Sequence, residues 1–290
     1  MKIVVIGAGP IGGIVGGRLA REGYDITLVD IDTAHVQAIC EKGLWVDVPD
    51  GAFRVSVPAV TPKDLVGQFD VGLVAVRSNY TRDALAVAEP HLHRESILVS
   101  LQNGMNPPLF EEVVGSDRTV GAVVRMRSVK PGPGHVKTTA RGRLFIGHLH
   151  GRTTPGLHSL HSILNSVIPT TVTDNILGTL WSKLSYTCVG MLSSLAPSPM
   201  KEICKDEANR RLFIGLLGEI VGVGVASGVR FEPLAEYHPS HFAPNLPYKD
   251  RLAAFNEAAK NHLEREDRVT APHSLDAGVT THVEYVLGYV

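Results

Sequence analysis

Three glycines near the beginning of the chain constrain its fold more than any other feature. Gly7, Gly9 and Gly12 form a G-x-G-x-x-G pattern directly after the short apolar run Lys2–Ile6, which predicts a buried strand. We expect Gly7 to make a tight turn, Gly9 to let backbone N–H groups approach a pyrophosphate, and Gly12 to let the helix Ile11–Glu22 pack closely. The N-terminus of that helix favours phosphate. The sequence therefore predicts a dinucleotide-binding turn formed by Gly7, Ala8, Gly9, Pro10, Ile11 and Gly12. The alternative is a glycine-rich turn in another α/β protein.

Asp30 follows a second predicted strand, Asp25–Val29, and lies about 20 residues beyond the glycines, where an acidic side chain bonds the ribose hydroxyls of NAD. A carboxylate at this position repels a 2′-phosphate, so the sequence favours NAD over NADP. Alternatively, Asp30 or Asp32 only caps the helix predicted over Ala34–Lys42. Asp32 or Thr33 suits that cap better, which leaves Asp30 available for the ribose.

Length, charge and cysteine content narrow the class of protein. The 290-residue chain is long enough for two domains, and its formal net charge is −1. It has no basic tract and no apolar run near the ~20 residues that span a bilayer, so we expect neither nucleic acid nor a membrane as a partner. Cys40, Cys188 and Cys204 have neither disulfide nor metal spacing, which favours a cytoplasmic location. His148 and His150 lack a third nearby ligand, so we expect no metal.

Strand-like and helical patterns alternate through the first part of the chain. The apolar runs are Lys2–Ile6, Asp25–Val29, Val71–Val76, Ser96–Ser100, Thr119–Val124, Arg143–Ile146 and Val167–Val172. This alternation predicts the α/β fold class, with a parallel, doubly wound sheet in an N-terminal dinucleotide-binding domain over residues 1–172. Asp50-Gly51 predicts a hairpin within Gly43–Ala59.

Beyond about Thr173 the pattern becomes helical, over Asn175–Leu195, Arg211–Ser227 and Arg251–Arg265. We therefore predict a second, mainly α-helical domain over residues 173–290. The segment Phe231–Tyr248 contains four prolines and is predicted to be a long loop that could act as a lid.

Three polar residues are candidates for chemistry. Arg77 and Asn103 each follow a predicted parallel strand, at the edge where Rossmann proteins bind their cofactor. Lys183 lies within the apolar helix Asn175–Leu195. Each has a purely structural alternative, because Asn103-Gly104 is a common turn dipeptide and a lone lysine on a helix usually reaches solvent.

Several motifs together resemble the ketopantoate reductase family over nearly the whole chain. They are Gly7-Ala-Gly9-Pro-Ile-Gly12, Gly43-Leu44, Asp50-Gly51, Ser100-Leu-Gln-Asn103-Gly104, Pro133-Gly134-His135, Arg141-Gly-Arg-Leu-Phe-Ile-Gly147 and Leu180-Trp-Ser-Lys183-Leu. The resemblance implies a Rossmann domain with a helical domain, a nicotinamide cofactor, reduction of a 2-oxo acid and a homodimer. It also implies that Lys183 is the proton-donating lysine and that Asn103 is the asparagine near the nicotinamide and the substrate carbonyl.

The sequence also departs from the family pattern. Arg77 stands where the family usually has lysine, and Thr187 and Met191 replace two asparagines that follow the catalytic lysine. The alignment of Thr281–Gly288 with the family motif puts His282 at the active-site glutamate and Thr270 at a substrate-binding serine. A register two residues later would put Glu284 at the glutamate. The family usually uses NADP, so Asp30 is a further departure.

These observations support three hypotheses. The first is an NAD-dependent oxidoreductase acting on a 2-oxo or 2-hydroxy acid, or a related secondary alcohol, other than pantoate. The second is a 2-dehydropantoate 2-reductase with an altered pocket. The third is a dinucleotide-binding sensor without catalysis, which the presence of both Lys183 and Asn103 disfavours.

Overall fold

The computed structural model describes residues 1–139, 141–193, 196, 198–235, 237–263 and 283–290. It divides the chain into two compact units, Met1–Ile176 and Leu177–Val290. The first unit is α/β and the second is helical. The predicted fold class is therefore confirmed.

Unit 1 is built on an eight-stranded sheet with the strand order β12-β11-β8-β7-β6-β1-β2-β5. All neighbours in this sheet run parallel except β8 and β11, which are antiparallel. Its strands are β1 (Lys2–Ile6), β2 (Asp25–Val29), β5 (Ala59–Val60), β6 (Phe69–Val74), β7 (Leu92–Ser100), β8 (Thr119–Arg125), β11 (Arg143–Gly147) and β12 (Thr170–Val172). The strands β1, β6, β7 and β8 are rich in buried Val, Ile and Leu, as expected for strands covered on both faces.

A second, four-stranded sheet has the order β4-β3-β10-β9. Its strands are β3 (Leu44–Asp47), β4 (Phe53–Val55), β9 (Ser128–Gly132) and β10 (His135–Thr138). The antiparallel pairing of β3 with β4 confirms the predicted hairpin. The sequence interpretation did not include β9 and β10, and β10 pairs in parallel with β3 from a distant part of the chain.

Among the described residues of unit 1, five α-helices pack against these sheets: α1 (Pro10–Arg21), α2 (Thr33–Lys42), α3 (Thr81–Ala88), α4 (Pro107–Val114) and α5 (Pro155–Asn165). Helix α1 contacts both sheets, touching β1 and β2 of the first and β3 and β10 of the second. Its Ile14, Val15 and Leu19 are fully buried and belong to the main hydrophobic core. This packing fixes the glycine-rich turn that precedes the helix.

The described helices of unit 2 are α6 (Ile176–Ser193), α7 (Met200–Ile203), α8 (Glu207–Ala226), α9 (Tyr248–Leu263) and α10 (Val283–Val286). In the part of the chain that the structure describes, no helix has the length and apolar character needed to cross a membrane.

The segment Phe231–Tyr248, predicted to be a long loop, connects α8 to α9 and packs closely on its own unit. Its role as a lid stays a prediction. Leu234 and Tyr237 form a backbone bridge, and the Tyr237 hydroxyl lies 2.6 Å from the Ser185 hydroxyl on α6. Burial raises the pKa of Tyr237 well above its usual range. Phe242 is 1% exposed, so apolar anchoring as well as hydrogen bonding holds the segment against unit 2.

Candidate functional site

The glycine-rich turn connects β1 to α1, and two of its positions have no room for a side chain. Gly7 has φ +96°, which disfavours any residue with a Cβ, and its N–H donates to the Val29 carbonyl oxygen at 2.8 Å. A Cβ on Gly12 would lie 2.0 Å from the Gly7 carbonyl oxygen. In contrast, a Cβ on Gly9 would meet no protein atom within 4 Å. The packing of this chain therefore requires Gly7 and Gly12 but not Gly9.

The β2–α2 connection contains the predicted ribose-binding carboxylate. Asp32 caps α2 by accepting from the His35 N–H at 3.1 Å, which confirms the sequence interpretation of the cap. Asp30 is half-buried and accepts the Asp32 N–H at 2.9 Å. Asp32 also forms an ion pair with Lys130 of β9, with 2.7 Å between Nζ and Oδ2. This pair lowers the pKa of Asp32, mainly through the Lys130 hydrogen bond.

Sequence reasoning missed His35, which is fully buried on α2. Its Nε2 lies 2.9 Å from the Ala8 carbonyl oxygen within the glycine-rich turn. Its Nδ1 accepts the Gly134 N–H at 2.8 Å. These two partners define a neutral ring with the proton on Nε2. No local sequence signal could have shown this, since Gly134 is 99 residues away.

Two loops at the carboxyl ends of β6 and β7 contain Arg77 and Asn103. Arg77 is half-buried, and the Asn103 side chain is exposed. A buried polar cluster joins the loops, and we call it the carboxyl-edge network: Ser78, Thr81, Gln102 and Asn106. Within it, Ser78 Oγ and Asn106 Nδ2 donate to the Asn103 carbonyl oxygen at 2.6 and 2.7 Å. This network fixes the Asn103 backbone and leaves its amide at the surface.

These features meet at one edge of the sheet in unit 1. The strands β2, β1, β6 and β7 are consecutive parallel neighbours. Asp30, the glycine-rich turn, Arg77 and Asn103 follow their carboxyl ends in that order. Ligands of open α/β sheets bind at this edge.

Helix α6 in unit 2 contains three of the predicted residues on one face. Lys183, Thr187 and Met191 recur at intervals of four and are all half-buried, whereas the flanking Leu184 and Cys188 are buried. The Thr187 hydroxyl donates to the Lys183 carbonyl oxygen at 2.7 Å. The Lys183 ammonium lies 5.9 Å from the centre of the Tyr186 ring.

The remaining predicted substrate residues lie near the C-terminus, where the structure describes only part of the chain. Thr270 and His282 lie outside the described residues. Glu284, the alternative to His282, lies on α10 and is exposed.

The two histidines that resemble a metal-binding pair, His148 and His150, stack with ring centres 4.9 Å apart. The two ring nitrogens of His148 lie within hydrogen-bonding distance of the Thr119 carbonyl oxygen (2.6 Å) and the Thr154 hydroxyl (2.9 Å). Among the described residues, no three His, Cys, Asp or Glu side chains are grouped to hold a metal ion.

The fold and its carboxyl edge define a Rossmann-type α/β protein with a helical second unit, and comparisons identify the family. Residues 3–151 match the family model described as Ketopantoate reductase PanE/ApbA, and residues 175–290 match its C-terminal counterpart. The chain belongs to the ketopantoate reductase family, whose members are oxidoreductases that act on CH–OH or keto groups. The resemblance inferred from the motifs is thus confirmed.

Individual relatives agree with this assignment. A 2-dehydropantoate 2-reductase from Pyrococcus horikoshii is 32% identical over 80% of this chain and 76% of the relative. A PanE/ApbA family ketopantoate reductase from Ralstonia eutropha JMP134 matches with TM-score 0.84 and 26% identity, over 100% of this chain and 90% of that chain. A ternary structure of D-mandelate dehydrogenase with NADH and anilino(oxo)acetate has the same TM-score and coverage at 18% identity, which shows the shared fold.

Proposed function

We propose that this protein transfers a hydride between NAD(H) and a 2-oxo or 2-hydroxy acid, or a related secondary alcohol, other than pantoate. One observation carries the proposal: the glycine-rich turn, Asp30, Arg77 and Asn103 follow the carboxyl ends of neighbouring parallel strands. Nicotinamide dinucleotides bind at this edge in Rossmann domains. Family membership supports the oxidoreductase chemistry.

The residues of the turn suit a dinucleotide. Since internal packing does not require glycine at position 9, its missing side chain is explained by a pyrophosphate that approaches the backbone from Gly7 to Gly12. Asp30 keeps a carboxylate at the ribose position, which favours NAD over NADP. The fold is known to hold NADH in the protein named D-mandelate dehydrogenase. Arg77 is proposed to contact the cofactor from the β6 loop.

Cofactor titration tests this preference. NADH should bind at least about tenfold more tightly than NADPH, equivalent to about 1.4 kcal/mol. Asp30→Ala should narrow this difference. Equal or tighter binding of NADPH to the unmutated protein would contradict the assignment of Asp30.

Lys183 and Asn103 are proposed as the catalytic residues for reduction. The reduced nicotinamide, when bound, supplies a hydride to the carbonyl carbon of the substrate. The Lys183 ammonium donates a proton to the resulting alkoxide oxygen and, once deprotonated, serves as the base for oxidation. The Asn103 amide is exposed on a fixed backbone, so it is available to orient the carbonyl oxygen or the nicotinamide carboxamide.

The proposed substrate contacts are Thr187, Met191, Thr270 and His282. Because the Thr187 hydroxyl donates to a backbone oxygen, it offers an acceptor rather than a proton to the substrate. Met191 adds apolar volume where the family has an amide. A pocket that leaves a substrate hydroxyl unpaired discriminates against that substrate. We therefore expect ketopantoate to be a poor substrate, and a bulkier or less hydroxylated acid to be a better one.

A screen of 2-oxo and 2-hydroxy acids, followed by the absorbance of the reduced nicotinamide, tests the substrate class. His282→Ala should change the rate and its pH profile, whereas Glu284→Ala should not. If Glu284→Ala alone has these effects, the later register is correct. Efficient reduction of ketopantoate would favour the second candidate, a 2-dehydropantoate 2-reductase, which the Pyrococcus horikoshii relative supports by name. Cofactor binding without turnover of any acid in the screen would favour a sensor.

We also propose that the two parts of the chain have different functions. Residues 1–172 bind the cofactor, and residues 173–290 provide substrate contacts and the contacts of a homodimer. Sedimentation of the purified protein tests the dimer, for which a monomer at all concentrations would be the contrary result.

A further inference from the structure

The Asp32–Lys130 ion pair brings a positive charge to the proposed ribose end of the cofactor site. Lys130 lies on β9 of the second sheet, 98 residues from its partner in sequence. Its ammonium contacts the carboxylate that caps α2, at 2.7 Å. The Lys130 and Asp32 side chains remain 29% and 38% exposed, so both are accessible to a bound molecule. In NADP enzymes with a dinucleotide-binding fold, a basic side chain near the ribose accommodates the 2′-phosphate.

Asp32 connects this ammonium to the proposed ribose carboxylate. The Asp32 N–H donates to Asp30 Oδ1 at 2.9 Å, while its own Oδ2 accepts from Lys130. The hydrogen bond from Lys130 and that from the His35 N–H lower the pKa of Asp32, so the carboxylate stays ionised at neutral pH. Asp32 therefore neutralises Lys130, and Asp30 remains the net negative charge at this position.

We propose that Lys130 is a specificity-determining residue whose charge Asp32 masks, so that the ion pair reinforces discrimination against the 2′-phosphate of NADPH. This inference rests on the proposed dinucleotide site. Removal of the Asp32 charge leaves the ammonium unpaired at the N-terminus of α2, where helix N–H groups also favour anions. A 2′-phosphate would then replace the carboxylate as the partner of Lys130. The competing explanation is that the pair only ties β9 to α2.

A set of four proteins separates these explanations: the unmutated chain, Asp32→Asn, Lys130→Gln and the double variant. Asparagine still caps a helix, so Asp32→Asn removes charge while the cap is retained. Asp47→Asn is the matched control, because Asp47 pairs with Lys137 at 3.0 Å between β3 and β10 of the second sheet. Binding of NADH and NADPH to each full-length protein is measured by titration calorimetry, with thermal unfolding as the check on folding.

We expect Asp32→Asn to improve NADPH binding relative to NADH by about tenfold at low ionic strength, with a smaller gain as salt screens the charges. The double variant should lose most of that gain, and Asp47→Asn should leave the ratio unchanged. Lys130→Gln alone should weaken the binding of NADPH by about threefold relative to that of NADH. In this variant no ammonium neutralises Asp32, so its carboxylate repels the 2′-phosphate. This last variant provides a test even if Asp32→Asn does not fold.

Two outcomes would overturn the proposal. A gain of NADPH binding that persists in the double variant would show that repulsion by Asp32 acts without Lys130. An unchanged NADPH-to-NADH ratio in Asp32→Asn and Lys130→Gln would show that the pair is only structural. Failure of the unmutated chain to bind either cofactor would instead reject the proposed function on which the inference rests.

Discussion

His35 shows how a single buried residue can hold the glycine-rich turn in place. Its ring donates to the Ala8 carbonyl oxygen and accepts from the Gly134 N–H, and the side chain has no exposure to solvent. The ring thus connects the turn after β1 to the hairpin between β9 and β10. We propose that His35 positions the glycine-rich turn and does not itself contact a cofactor, since its side chain is fully buried.

His35→Phe should destabilise the protein by about 2–4 kcal/mol, because it leaves a buried carbonyl and a buried N–H without partners. NADH binding should weaken by at least about tenfold at a temperature where the variant stays folded. Thermal unfolding and NADH titration measure the two effects. His158→Phe, at an exposed position of α5, is the control and should change neither property. If His35→Phe bound NADH normally, the ring would have no positioning role.

Gly9 and Gly12 predict opposite phenotypes for the same change to alanine. A Cβ on Gly12 would lie 2.0 Å from the Gly7 carbonyl oxygen, whereas a Cβ on Gly9 would meet nothing within 4 Å. Gly12→Ala should therefore lower the free energy of unfolding by about 3 kcal/mol. Gly9→Ala should leave the free energy of unfolding unchanged but weaken NADH binding. Normal NADH binding by Gly9→Ala would contradict the proposed position of the pyrophosphate.

At the scale of elements, the carboxyl-edge network links the loops after β6 and β7. The Thr81 hydroxyl donates to Ser78 O and lies within hydrogen-bonding distance of Gln102 and Asn106. Asn106 in turn holds the backbone of Asn103. The candidate catalytic amide thus depends on buried groups in two neighbouring loops.

Thr81→Val should cost about 2 kcal/mol of stability, since buried groups of Gln102 and Asn106 lose a partner. It should also slow turnover by displacing Asn103, and Thr81→Ser should restore both properties. Asn103→Ala should slow turnover without a change in unfolding, because its side chain is exposed. Chemical denaturation and steady-state kinetics separate these effects. Full stability of Thr81→Val would argue against the network.

The elements also show which parts of the site the sequence could predict. The glycine-rich turn after β1, the position of Asp30 directly after β2 and the Asp32 cap depend on neighbours within a few residues, so periodicity and spacing were sufficient to predict these positions. The contacts of His35 with Gly134 and of Asp32 with Lys130 span 99 and 98 residues. They follow from the pairing of β3 with β10, for which no local pattern gives evidence. The prolines of Phe231–Tyr248 predicted a loop, but they gave no sign that Tyr237 and Phe242 are buried.

For the molecule as a whole, the accessibility of the three cysteines is a measure of how tightly each unit is packed. Cys40 is exposed in unit 1, whereas Cys188 and Cys204 are buried in unit 2. Burial raises the pKa of Cys188 to about 12 and that of Cys204 to about 11. Both buried thiols are therefore protonated and shielded at neutral pH, and thiolate is the reactive form.

A thiol reagent should modify only Cys40 in the native protein at pH 7 and all three cysteines in denaturant. Cys40→Ser should abolish the rapid native reaction. Rapid reaction of a second thiol without denaturant would show that the packing around α6 or α7 is looser than described.

We have proposed that the chain reduces 2-oxo acids with NADH and that Lys183 donates the proton. The most direct measurement compares the unmutated protein with Lys183→Ala, using NADH and the best acid from the screen, with NADH affinity measured in parallel. We predict that turnover falls by about a hundredfold or more while NADH still binds. Near-normal turnover by Lys183→Ala would show that Lys183 does not donate the proton and has only a structural role in α6.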